Sequence, residues 1–211
     1  MDNSFIALGL MSGTSLDGVD ASIIKSDGED RLEIIDNKYY RFPEDFKNRL
    51  SLFIQSSVNK KYLDDNISIY KSLERELTLH HSRLSKEIIQ KNQLKIQLVG
   101  FHGQTIIHKP KDRYSIQMGD ANLLSQDLKQ KVIYDFRSND ITNGGDGAPL
   151  TPLYHKLLTK KFQLNKPIII LNIGGISNYT YCFNEKISAK DIGPGNVLID
   201  EYLKKNKRIK L

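Results

Sequence analysis

A strand, a tight glycine-bearing turn and a second strand occur twice in this chain, and that repetition limits the folds open to it. In the first copy, Ala7 to Ala21 (ALGLMSGTSLDGVDA), residues Phe5 to Leu8 lead in. Ser12-Gly13-Thr14-Ser15 and Asp17-Gly18 form the turn, and Val19, Ala21, Ile23 and Ile24 lead out. In the second, Pro167 to Asn172 (PIIILN) reads as a fully buried strand, Gly174-Gly175 as a tight turn, and Ile176 to Phe183 as an alternating strand. Two such hairpins, each opening an α/β unit, are what a duplicated fold with a nucleotide clamped between its halves requires.

The first turn has the composition of an anion site. Its two glycines permit close backbone approach and positive φ, while three hydroxyls add donors, so several N–H groups can converge on phosphate oxygens. Asp17 and Asp20 can hold Mg²⁺ directly or through water, because that ion takes one or two carboxylates together with substrate phosphates. An ordinary hairpin loop has the same composition, and neither the P-loop pattern nor G-x-G-x-x-G is present.

Composition narrows the partners. At 211 residues, 39% hydrophobic and 27% charged, the chain fills one or two modest cores. The net charge of +6 is concentrated at the end, where Lys204, Lys205, Lys207, Arg208 and Lys210 leave about +1 for the rest. A basic body suited to nucleic acid is therefore not expected; the tail itself reads as a solvated helix end or as the out-of-frame product of a truncated gene. No apolar run approaches the roughly 20 residues that span a bilayer, and Asp2 stands where a secretory signal carries positive charge. The expectation is a cytoplasmic protein. Cys182, the single cysteine, excludes an intrachain disulfide and alternates with Tyr181 and Phe183 as a buried, inert thiol.

Between the two hairpins the pattern alternates strands and helices. Leu32 to Phe42 is rich in β formers and extends the opening hairpin into a meander. Pro43 suits a first helical position, with Phe46, Leu50 and Phe53 on one face. Ile67, Tyr70, Leu73, Leu77, Leu84 and Ile88 then recur at helical spacing. His80 and His81 lie in that stripe, but adjacent helical residues diverge by about 100° and cannot share a metal as an i, i+4 pair does. Strands are expected at Ile96 to Gly100, Tyr114 to Met118 and Lys131 to Tyr134, and helices over Ala121 to Leu128 and Leu150 to Lys160.

Three polar groups stand at element ends. His102, Gln104 and Thr105 follow a central-type strand, where open α/β sheets bind ligands, and can contact a hydroxylated substrate; a capped turn between two strands explains them equally. Asp135 to Pro152 reads as a long shaped ligand loop carrying Asp135, Arg137, Asp140 and Asp146. Asp191, beside the rigid Gly193-Pro194-Gly195 turn, suits a general base on a stiff frame, or equally a turn-bonding or helix-capping residue.

Taken together, GLMSGTSLDGVD, GFHGQTIIHKP, YDFRSND with GGDGAPLTP, LNIGGISN and DIGPGNVLID resemble the signature blocks of the anhydro-N-acetylmuramic acid kinase family, in order and in register from Phe5 to about Tyr202. The resemblance implies an α/β, actin-like ATPase fold of the hexokinase/Hsp70 and ribonuclease-H-like type. Residues 1–150 would form the first domain, with residues 151–211 a partial second domain, since family members continue well beyond the last block. It implies ATP and Mg²⁺ as cofactors, 1,6-anhydro-N-acetylmuramic acid as substrate in murein recycling, and a homodimer.

Carried over residue by residue, the resemblance makes Ser12, Gly13, Thr14, Ser15, Leu16, Asp17, Gly18 and Val19 the first phosphate-binding hairpin. Gly174 and Gly175 belong to the second. Asp191 matches the base that activates water at C1, and His102, Gln104 and Arg137 lie near the sugar. Asn139, Thr142, Asn143 and Asp146 depart from what many relatives carry in their loop.

Overall fold

A computed structural model describes residues 3–165, 167–184 and 186–206. Residues 207–211 of the basic tail lie outside them. Two compact units divide the chain, residues 1–147 and 148–211.

The first unit is built on a five-stranded mixed sheet. Strands β1 (Phe5–Met11), β2 (Gly18–Ser26) and β3 (Leu32–Arg41) form an antiparallel meander, and β4 (Leu98–Phe101) and β7 (Val132–Tyr134) add in parallel on the other side of β1. The order is β3-β2-β1-β4-β7. Period-two alternation explains the packing: Leu8 and Leu10 from β1, and Val19, Ala21 and Ile23 from β2, are buried on the core side.

Helix α1 (Glu44–Ser56) contributes Phe46, Leu50 and Phe53 to the same core. Pro43 sits one residue earlier than expected, as the N-cap. After the short α2 (Lys60–Asp65), the 26-residue α3 (Ile67–Asn92) packs on β2 and β3 through Leu77, Leu84 and Ile88, each fully buried. It ends where Gln93 adopts φ 53° and returns its N–H to the Ile89 carbonyl. His80 stacks on Tyr40 at 5.4 Å and His81 meets the edge of Phe101 at 5.0 Å, so both are packing residues.

Past β4 the chain makes a two-stranded ribbon, β5 (Gln104–Lys109) against β6 (Tyr114–Met118). Helix α4 (Ala121–Leu128) follows, its first turn capped by Asp120, which accepts from Leu123 N. The stretch expected to be a long loop instead opens with α5 (Phe136–Thr142), because Asp135 at φ 56° turns the chain straight from β7 into a helix.

The second unit holds α6 (Pro152–Lys161), an antiparallel sheet in the order β10-β9-β8, and α7 (Val197–Lys205). Its strands are β8 (Ile168–Ile173), β9 (Ile176–Phe183) and β10 (Lys186–Pro194). Two expectations change here. Strand β8 is not fully buried: it lies at the sheet edge, with Ile169, Leu171 and Ile173 all more than half exposed. The segment around Asp191 is not a free turn but the end of β10, a strand that the glycines and proline of DIGPG disguise. Cys182 is buried, as expected.

Candidate functional site

The turn after β1 is closed by a backbone bond from Leu16 N to Gly13 O, 3.1 Å, with Leu16 at φ 58° and its side chain in the core. Positive φ therefore falls on Leu16 and not on Gly13 or Gly18. The two glycines serve different ends. A Cβ on Gly18 would stand 2.1 Å from the Tyr40 carbonyl, so glycine there lets β2 approach β3. A Cβ on Gly13 would meet nothing nearer than Ser15 Oγ at 3.9 Å, so the surface over Gly13 is open. Thr14, Ser15 and Asp17 are exposed around it, whereas Val19 is a core residue able to offer only its main chain.

Asp17 is held by Lys47 Nζ at 2.6 Å. Partial burial works to raise its carboxyl, but the hydrogen bonds from Lys47 and Ser15 and the nearby cations outweigh this and hold it below the ordinary carboxylate value. Loss of solvent around Asp20 raises its carboxyl. Burial and then the charges of both carboxylates raise the Tyr39 phenol, which marks the two as neighbours of one ring. Among the described residues no group of three or more metal-ligating side chains occurs.

The turn after β4 lies alongside. Ser12, fully buried, donates its hydroxyl to the Gly103 carbonyl at 3.1 Å, so the ends of the parallel neighbours β1 and β4 are tied together. Gly103 must be glycine: φ is +67°, and a Cβ would stand 2.3 Å from the Met118 carbonyl. His102 Nδ1 bonds the Gly103 carbonyl at 2.8 Å, and its Nε2 accepts from Arg137 Nε at 3.0 Å. Burial foremost pushes the His102 pKa down, the bond to Gly103 opposes this, and the Arg137 charge adds to the fall. The ring is thus neutral at pH 7, with its proton on Nδ1.

Arg137 also donates to the Gly147 carbonyl at 2.6 Å, so one guanidinium joins the His102 turn to the glycine-rich loop. Gln104 is buried, and its Oε1 has no hydrogen-bond partner among the described residues. Of these three sequence-predicted residues, the structure joins His102 and Arg137 directly, while Gln104 Nε2 turns to the carbonyl of its neighbour Thr105 at 3.5 Å. Asp140, by contrast, is occupied in shaping its own loop, accepting from Gly147 N at 2.7 Å. Sequence reasoning missed Ser115 and Gln117, although two polar residues sharing one face of a short strand were a readable signal.

In the second unit, β9 joins three polar residues in a row: Asn178 is opposite Asn172 of β8 and opposite Asp191 of β10. Directly opposed residues share a face, with Cβ atoms about 5 Å apart. The register then shifts between Asp191 and Gly193, and the chain crosses the β8–β9 turn. There Gly195 N bonds Gly175 O at 2.8 Å and Asn196 N bonds Gly174 O at 2.7 Å. A Cβ on Gly195 would lie 2.1 Å from the Gly174 carbonyl. The Gly174-Gly175 turn and the strand carrying Asp191 are thus one rigid piece.

The profile of the Anhydro-N-acetylmuramic acid kinase family matches residues 5–210. A protein of that name from Pelagibacter ubique is 47% identical over 214 residues, covering 100% of this chain and 57% of its own length. Namesakes from Bradyrhizobium diazoefficiens and Rhizobium etli are each 38% identical, covering 93% and 96% of this chain and 55% and 56% of their own. The chain spans about half the length of the curated relatives it matches. Among solved structures, a reductive activator for corrinoid, iron-sulfur protein aligns at a TM-score of 0.40 and 12% identity, covering 91% of this chain and 31% of its own, too loose a match to carry a fold argument. With the family profile matched along nearly its whole length, the chain belongs to the anhydro-N-acetylmuramic acid kinase family.

Proposed function

We propose that this chain is an ATP-dependent sugar kinase that adds water across the 1,6-anhydro bridge of 1,6-anhydro-N-acetylmuramic acid and phosphorylates O6, in the cytoplasmic recycling of murein. The observation that carries this reading is the family match itself, which includes every block in which the candidate groups stand. The meander followed by two parallel strands agrees with an actin-like, ribonuclease-H-like first domain.

In this reading the open face of the Ser12 to Gly18 turn receives nucleotide phosphates through backbone N–H groups and the Thr14 and Ser15 hydroxyls. Gly174 and Gly175 offer a further phosphate contact. The carboxylates fit Mg²⁺ in the way that ion prefers, few protein ligands completed by water and phosphate. Asp20 is the better placed, since Lys47 holds Asp17. When bound, the ion neutralises charge on the phosphates. Neutral His102, fixed by Arg137, and Gln104 hold the sugar.

Asp191 takes a proton from water as the water oxygen bonds to C1. The C1–O6 electron pair passes to O6, O6 bonds to the γ-phosphorus, and ADP leaves with the electrons of the broken P–O bond. A positioned carboxylate contributes about 10²–10⁴-fold to such a step.

The test is to incubate the full chain with ATP, Mg²⁺ and the anhydro sugar and follow the 6-phosphate by ³¹P NMR. Product is expected, and Asp191→Asn should abolish it; a chain that makes none is not this enzyme. The His102–Arg137 pair, which lies wholly within the first unit, supports a second reading, a non-catalytic sugar-binding member of the family. Calorimetry would then show sugar binding without turnover.

A further inference from the structure

A polar row runs along the buried side of α3, where a helix packed on its neighbours ordinarily carries apolar side chains. Glu74, Thr78 and Ser82, each one helical turn from the next, are buried towards α4 and the turn before it. Thr78, with no exposed surface, accepts from Asp120 N at 3.0 Å, and Glu74 Oε1 accepts from Gly119 N at 3.4 Å. The direction of the first bond is fixed, because a main-chain N–H can only donate and the Thr78 proton goes to the Glu74 carbonyl at 2.7 Å. Ser82 and Lys86 hold Asp127 near the other end of α4.

The turn held in this way presses on both neighbours of His102. A Cβ on Gly119 would stand 2.6 Å from the Phe101 ring and 3.5 Å from Gly103 Cα, and a Cβ on Gly103 would stand 2.3 Å from the Met118 carbonyl. Phe101 and Gly103 are thus backed directly by Met118 and Gly119, with no slack between them to absorb a shift. Phe101 is braced from α3 as well, by the edge contact of His81. In setting the Gly119-Asp120 turn, α3 sets the main chain that carries His102. Valine has nearly the shape of threonine, so what Thr78 adds is its hydroxyl.

We propose that Thr78, aided by Glu74, is a positioning residue for His102, acting through the Gly119-Asp120 turn. Only the ligand that His102 meets rests on the sugar-kinase reading above. Thr78 touches no solvent, so its effect on that ligand is wholly indirect.

The experiment takes the full chain as wild type, Thr78→Val and Thr78→Ser, under conditions where urea unfolding shows each to be folded. It reads the imidazole ¹⁵N NMR signals of His102 without ligand, and the calorimetric affinity for 1,6-anhydro-N-acetylmuramic acid. In the wild type the signals should report one tautomer, protonated at Nδ1. Thr78→Val should draw the two signals together and weaken sugar binding about threefold to thirtyfold, the range over which residues along a chain of contacts act. Thr78→Ser, which keeps the acceptor, should match the wild type in both. A merely structural role lowers the urea midpoint of Thr78→Val and moves neither readout, and that result overturns the proposal; so does a serine variant that behaves as the valine one. Should Thr78→Val not fold, Glu74→Met, which removes the acceptor from Gly119 N, decides by the same signals. A wild type that binds no sugar overturns the kinase reading and leaves the His102 signals to decide the positioning role.

Discussion

His81 gives the sharpest physical test of the core. It lies in the middle of α3, fully buried, with Nδ1 on the Leu77 carbonyl at 2.9 Å and Nε2 buried without a partner among the described residues. Protonation would bury an N–H with nothing to accept it. Burial accordingly pushes the pKa down from 6.5 to about 4, the Leu77 bond opposing and the charges of His80 and His102 adding. The native state then binds fewer protons than the unfolded chain below pH 6.5, so its stability is full above that value and is lost as pH falls towards 4. With an unfolded value of 6.5 and a native one of about 4, going from pH 7 to pH 5 costs about 2 kcal/mol from this residue alone. Urea unfolding of wild type and His81→Asn at both pH values isolates the term, because carboxylates and the other histidines contribute equally to both proteins. The variant should be less stable at pH 7 but lose about 2 kcal/mol less on acidification. A variant that loses as much as the wild type would refute the argument.

Two further perturbations separate roles within the site. Gly13→Ala enters open space and should cost under about 1 kcal/mol of stability while weakening ATP binding about tenfold or more; Gly18→Ala, pressed on the Tyr40 carbonyl, should cost about 1–3 kcal/mol whatever the ligand. Both are read by thermal melts with and without nucleotide, and equal behaviour of the two would contradict the division of labour. Arg137→Met leaves His102 Nε2 and the Gly147 carbonyl without their donor, and should cost about 2–4 kcal/mol in urea unfolding and lower affinity for the anhydro sugar; full stability would show that the bridge carries no energy.

Much of the fold was legible because its elements obey local rules. The alternation in β1 and β2, the apolar stripe of α3 and the acidic cap of α4 each announce their element without help from the rest of the chain. Misreadings arose where a non-local contact or one unusual dihedral overrides composition. A run of isoleucines looks central, yet β8 is an edge strand, since which strands flank it is decided by residues far along the chain. A polar, glycine-rich stretch looks like loop until Asp135 at φ 56° launches α5. DIGPG looks like a turn, yet it pairs with β9 as far as Pro194. In the site, His102, Gln104 and Arg137 were readable as chemistry-bearing residues, but the Arg137–His102 bond joins positions 35 residues apart and no spacing reveals it.

The hydroxyl of Ser12 has a last consequence. It is the bolt between two turns that otherwise belong to different strands, one offering an open face over Gly13 and the other carrying His102. Tightening either turn restrains its neighbour, so a molecule settling on one finds the other already stiffened. By reciprocity the benefit runs equally in both directions. Loosening that tie, with Ser12→Ala, should weaken the coupling between the turns, which the His102 N–Leu10 O bond of 3.2 Å and the β1–β4 pairing still join.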